Sequence, residues 1–247
     1  MKEALFVPIV FTISLVLCAI CTAGVFQLYF YASESVLLLS PVQFGNLAAY
    51  FFPFSMLIAT IIVFEFVLRK NVHGGFAVLF LTVLIIAALF IFYRLATIIQ
   101  KQNTDVIFNA IKALHTDRSF FLQSFFTVTE RFFSDCVTAA QTHFPAFLIF
   151  SGSFWCAVLS YFAVAQNCTN WKLANFLLLV AMIIGTLYLY SALQSNAVQN
   201  FASKTFLHRS GFPVEALALY SIAALVFLFL LIRSLVRRHY AKKRSSI

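Results

Sequence analysis

Six apolar stretches punctuate the chain, at residues 5 to 30, 47 to 68, 76 to 99, 144 to 165, 173 to 194 and 213 to 236. Each reaches the roughly 20 residues with which a helix crosses a hydrocarbon core of about 30 Å. The segments between them hold 16, 7, 44, 7 and 18 residues, so short and long connections alternate. This pattern predicts an all-α, polytopic membrane protein with six transmembrane helices in a 3+3 arrangement. Residues 1–99 would supply the first three helices, 100–143 an extracytoplasmic amphipathic helical segment, 144–236 the last three helices, and 237–247 a basic cytoplasmic tail. Pro145 and Pro213 each follow a phenylalanine and open a stretch, in the first helical turn where a missing N–H costs nothing. Pro53 in "YFFPFS" comes later in its stretch, where it is expected to bend the helix.

The long middle segment breaks the apolar rule. Placed on a helix at 100° per residue, Phe121, Leu122, Phe125, Phe126, Val128, Phe132, Phe133, Cys136, Val137 and Ala140 of "SFFLQSFFTVTERFFSDCVTAAQ" fill about half the circumference. The other half is polar and includes Glu130, Arg131 and Asp135. A lipid-facing span would put Glu130 and Arg131 at its centre, at about 2.5 to 3.5 kcal/mol each. An amphipathic helix outside the bilayer is the expected form, with Phe121, Phe125, Phe126, Phe132 and Phe133 as its partner or membrane face. That face has two destinations: the lipid interface or the end of the bundle, or else a partner protein or lateral opening. Upstream, Asp105 caps a shorter piece, "VIFNAIKALH", through its side-chain oxygen.

Composition agrees with the pattern. The chain is 62% hydrophobic and 10% charged, against about 25% charged residues in soluble domains. Its formal charge of +9 matters mainly through placement. Arg233 and Arg237, Arg238, Lys242, Lys243 and Arg244 crowd the C-terminus, where each basic residue near an anionic leaflet contributes about 1 kcal/mol. Membrane lipid headgroups are therefore the expected partner of Arg237, Arg238, Lys242, Lys243 and Arg244. Nucleic acid is not expected, because no groove-reading or stacking element accompanies the cluster. With both termini cytoplasmic, ten basic residues fall in about 30 inner positions and six in about 75 outer ones, which satisfies the positive-inside bias. The expected location is the cell inner (plasma) membrane. The first apolar run continues through Phe30, beyond a signal-peptide core of about 7 to 15 residues.

Candidate chemistry is sparse. Cys18 and Cys21 form C-x-x-C inside an apolar helix rather than beside a βαβ unit, and the five histidines are scattered over four segments outside the apolar stretches, without a metal-ligand spacing. Ser151, Gly152 and Ser153 read as small residues that let helices approach rather than as a nucleophile, since no base is near in sequence. Glu65, Arg94, Glu215 and Arg233 all sit near the ends of apolar stretches, whereas ion-coupled transporters place such groups at mid-membrane. No enzymatic activity and no cofactor are expected.

In their order, "FPAFLIFSGSFWCAVLSYF", "NWK", "LLLVAMIIGTLYLYSAL", "SGFPVEALALY" and "LLIRSLVRR" resemble the last three helices of the LptF/LptG permease family of lipopolysaccharide export. The resemblance covers mainly residues 144 to 238 and implies a non-catalytic subunit that handles a lipid or other amphiphile beside a cytoplasmic ATPase. Family members carry a β-rich domain between the halves and a coupling helix between spans two and three; this chain has 44 residues in the first place and "RKNVHGG" in the second. A membrane scaffold or assembly factor, docking a partner through the middle segment, is the alternative expectation.

Overall fold

The computed structural model describes residues 5–34, 41–70, 72, 74–98, 120–166, 168–195, 198–200 and 213–244. Among these residues the protein is helical, with no strand. Its elements are α1 (Phe6–Glu34), α2 (Pro41–Tyr50), α3 (Phe52–Lys70), α4 (Gly74–Ile98), α5 (Phe120–Thr142), α6 (Phe144–Ala165), α7 (Lys172–Leu193) and α8 (Val214–Arg244). Among the described residues, five helices are long and apolar enough to cross a membrane: α1, α3, α4, α6 and α7. The sixth apolar stretch is shorter among the described residues, Val214–Leu230, and heads the 31-residue α8.

The second apolar stretch is preceded by helix. α2 and α3 are separated by Phe51 alone, and the helical pattern of bonds continues through Phe51 N–H to Leu47 C=O and Ser55 N–H to Phe51 C=O, both 3.0 Å. Pro53 has no N–H to give Ala49, and the interruption falls at Phe51, two residues before it. At the other end of the chain, the segment read as a tail continues α8 as far as Arg244. The backbones of Arg237, Arg238, Lys242, Lys243 and Arg244 are thus helical, while their side chains lie outside the described residues.

Burial follows helical periodicity in the outermost helices. On α1, Val7, Phe11, Leu15 and Ala23 are buried, whereas Ile9, Ile13, Val16, Leu17 and Ile20 are more than half exposed. On α4, Ala77, Leu81, Ile85 and Ala88 face in and Leu79, Val83 and Ile86 face out. Both faces of these helices are apolar, an arrangement compatible with a multi-pass membrane protein and unlike the polar outer faces of soluble bundles. α6 is the most enclosed of the five apolar helices.

Helices α1, α3 and α4 touch one another, as do α6, α7 and α8. The two groups meet where α4 lies on α6 and α3 on α7. Ring contacts fix the register of that seam: Phe92 stands 5.7 Å from Phe147, and Phe64 is 4.9 Å from Phe162 in an edge-on pair. Lys70 of α3 and Lys172 of α7 therefore share one end of the bundle, hereafter the basic end, where Lys172 Nζ reaches the Arg69 carbonyl at 3.5 Å. Buried hydroxyls add cross-links, Thr22 with Ser55 at 3.3 Å and Thr186 with Tyr161 at 3.0 Å, as polar side chains do between packed membrane helices.

The α6–α8 contact is among the most extensive between helices in the described residues. Ser151 and Ser153 are buried on α6, and a Cβ built on Gly152 would stand 2.9 Å from the Tyr220 hydroxyl of α8. That hydroxyl donates to the Leu148 carbonyl at 3.3 Å. Gly152→Ala is expected to push Tyr220 off this carbonyl and lower stability by about 1 kcal/mol or more, within the range for overpacking. Thermal denaturation in detergent checks this, and Tyr220→Phe in the same chain should recover most of the loss because it removes the clashing oxygen.

Candidate functional site

The amphipathic helix expected in the middle segment is α5, and it runs down beside α6. Only His143 separates α5 from α6, and it is extended (φ −159°, ψ 152°), which reverses the chain within one residue. Eleven residues before His143, Phe132 packs on Phe154 at 4.5 Å and Phe150 at 5.7 Å between ring centroids. Residues about equally far from a turn are neighbours only if the two helices are antiparallel. Phe132 is then level with the midpoint of α6, about 15 Å below the turn at 1.5 Å per residue.

The helical wheel of the sequence sorts the described part of α5 correctly for its apolar side. Val128, Phe132, Cys136, Val137 and Ala140 are buried, and Arg131, Thr138 and Gln141 are exposed. Phe132, 2% exposed, sits between α6 and α7, with Tyr190 edge-on at 5.2 Å. Phe121, Phe125, Phe126 and Phe133 belong to the same helix, but their side chains, like Glu130, lie outside the described residues, as does the whole "VIFNAIKALH" piece.

The polar side of α5 is partnered within the protein. Tyr190 donates its hydroxyl proton to Asp135 Oδ2, and Gln194 Nε2 donates to the same oxygen at 2.8 Å. Gln194 also donates to the Tyr190 oxygen, which closes a three-membered ring of side chains between α5 and α7. Nearby, Gln199 Nε2 donates to Glu215 Oε1 at 2.6 Å and to the Leu193 carbonyl at 3.1 Å. Glu215 is 9% exposed and stands in the first turn of α8, where the helix dipole favours a carboxylate. Tyr190 is therefore central: its ring packs on Phe132 and Phe150 while its hydroxyl holds Asp135.

Asp135 is half-buried in protein with two donors, and a hydrogen-bonded carboxylate escapes most of the cost of burying a charge. The sequence offers no signal for its partners. Tyr190 and Gln194 lie 55 and 59 residues away, at the end of an apolar stretch where Tyr and Gln are unremarkable as interfacial residues.

α5 also contacts α4. It thus rests on α4 from one three-helix group and on α6 and α7 from the other, across the seam between them. Among the described residues, no group of three His, Cys, Asp or Glu side chains is placed to hold a metal ion. Cys18, Cys21, Cys136, Cys156 and Cys168 are free thiols. No family model, curated protein or solved structure matches the chain.

Proposed function

We propose that the chain is a six-span inner-membrane protein with both termini in the cytoplasm, acting as a non-catalytic, permease-type subunit for a lipid or other amphiphile. The observation that carries the reading is the position of α5, an amphipathic helix laid across the seam between two three-helix groups and held by the Asp135–Tyr190–Gln194 ring. A helix with one apolar face, kept in place by a few hydrogen bonds, is suited to swing aside and open a lateral path between α4 and α6. In the open position its polar face would meet headgroups and its apolar face the acyl chains. Energy for repeated cycles would come from a cytoplasmic ATPase or another membrane subunit, since the sequence offers no phosphate-cradling loop of its own.

Two measurements test this. Purification of the full chain in mild detergent should recover an ATPase or a further membrane subunit, and recovery of periplasmic partners alone would overturn the permease reading in favour of a scaffold. A disulfide between cysteines placed at Asp135 and Gln194 should lock α5 and abolish movement of a fluorescent phospholipid by the reconstituted assembly. Unchanged movement in the locked form would show that α5 is a fixed part of the bundle.

A further inference from the structure

Opposite its buried face, α5 carries a polar one. Arg131, Ser134, Thr138 and Gln141 follow one another at spacings of three, four and three residues, which sets them in a single stripe along the helix. At 1.5 Å per residue the stripe is about 15 Å long. Arg131, Thr138 and Gln141 are exposed and Ser134 is half-buried, so the helices that α5 touches leave the stripe uncovered.

Depth decides what such a stripe can face. Arg131 adjoins Phe132, whose ring packs on Phe150 and Phe154, half-way along α6. The same level can be found on α4. Phe90 and Tyr93, near its end, meet Phe144, the first residue of α6, and Phe92 meets Phe147, so α4 and α6 run antiparallel. Ile86, six residues before Phe92, is therefore level with Ser153, six residues after Phe147. One level of the bundle thus carries both an Ile86 that is 62% exposed and an exposed Arg131.

Where α4 and α6 cross a bilayer, Ile86 meets acyl chains. An ionisable group at the same depth faces the bundle interior or a water-filled cavity, and the exposure of Arg131 leaves the cavity. The hydroxyls of the stripe do not decide the matter, since Thr138 Oγ1 donates back to the Ser134 carbonyl at 2.9 Å, a bond that a hydroxyl can make within its own helix in any surroundings. Snorkelling does not resolve it either. The end of α5 lies about 15 Å away along the helix, beyond the reach of one arginine side chain. We infer that a water-filled groove follows the polar stripe of α5, from the end of the bundle opposite the basic end down to the level of Arg131, about half-way through the membrane. Gln141, Thr138 and Ser134 form its wall and the Arg131 guanidinium its floor, so it admits water and small hydrated solutes to mid-depth. The groove rests on the membrane placement proposed above, but not on movement of α5, because the stripe is exposed with α5 seated.

The test uses the full chain in lipid nanodiscs, with Cys18, Cys21, Cys156 and Cys168 replaced by alanine, and a thiol reagent bearing a fixed trimethylammonium charge. Cys136 is the first reporter, and in Cys136→Ala the others are Arg131→Cys, Gln141→Cys and Ile86→Cys, all at exposed positions that tolerate the change. Bringing one charge to the middle of a membrane costs about 2.5 to 3.5 kcal/mol, which at about 1.4 kcal/mol per decade is about a hundredfold in rate. Arg131→Cys and Gln141→Cys should therefore react about a hundredfold faster than Ile86→Cys, while Cys136 stays slow. Arg131→Cys as slow as Ile86→Cys, with Cys136 also slow, overturns the groove and leaves the membrane placement standing. Fast reaction at Gln141→Cys alone overturns it too, since the water then stops short of mid-depth. Cys136 as fast as Arg131→Cys would mean that α5 is not seated, which removes the groove together with the ring that holds the helix. Ile86→Cys as fast as Arg131→Cys would remove the membrane placement itself, and the groove with it.

Discussion

Phe132→Ala is expected to lower stability by about 3 kcal/mol, the largest single-residue loss among these variants. The side chain is nearly fully buried and meets three rings, Phe150, Phe154 and Tyr190, within 5.7 Å. Phe→Ala in a packed core costs about 3 to 5 kcal/mol, part from transfer out of water and part from the cavity left behind. In a detergent micelle the transfer part shrinks, because the displaced helix would face alkyl tails as apolar as the core. The cavity remains, and so do the lost ring pairs, each worth about 0.5 to 1.5 kcal/mol. These considerations select the lower end of the range. Reversible unfolding in mixed detergent micelles measures the loss; a value under about 1 kcal/mol would mean that α5 is not seated between α6 and α7. Phe132→Leu, which keeps much of the volume, should lose less.

How far the sequence revealed this arrangement depends on the kind of signal. Apolar runs announced the apolar helices to within a few residues, since a continuous apolar stretch of about 20 residues has few other uses. Helical periodicity found the buried face of α5 at Val128, Phe132, Cys136 and Val137, because one helix has one set of neighbours per face. What it withheld was the direction of α5 relative to α6. That depends on a single extended residue, His143, and on whether Asp135 finds partners. Hydrogen-bond partners 55 or more residues apart leave no local trace. The loop after α6 was equally silent, since "AQNCTNWK" reads as an ordinary polar connection until Thr169 and Asn175 are brought together by three hydrogen bonds.

Cys136 is 1% exposed, and its burial makes it a probe of the lifting of α5. It follows Asp135 directly in sequence, so any loosening of the ring of Asp135, Tyr190 and Gln194 should uncover its thiol. In a chain with Cys18, Cys21, Cys156 and Cys168 replaced by alanine, a maleimide should react slowly with Cys136. Asp135→Ala removes an acceptor that two donors share, and hydrogen bonds to a charged group contribute about 1.5 to 3 kcal/mol. Local opening free energies translate directly into the exposed population when reclosing is fast, and each 1.4 kcal/mol is a factor of ten. Labelling of Cys136 should therefore accelerate about ten- to a hundredfold in Asp135→Ala. Tyr190→Phe keeps the ring against Phe132 and deletes only one donor, so its acceleration should be smaller. If the bonds form one latch, the double variant should label about as fast as Asp135→Ala alone, because the second change removes a bond already lost. Rates that multiply across the two variants, or a Cys136 that reacts fast in the unaltered ring, would mean that Asp135 and Tyr190 do not hold α5 together.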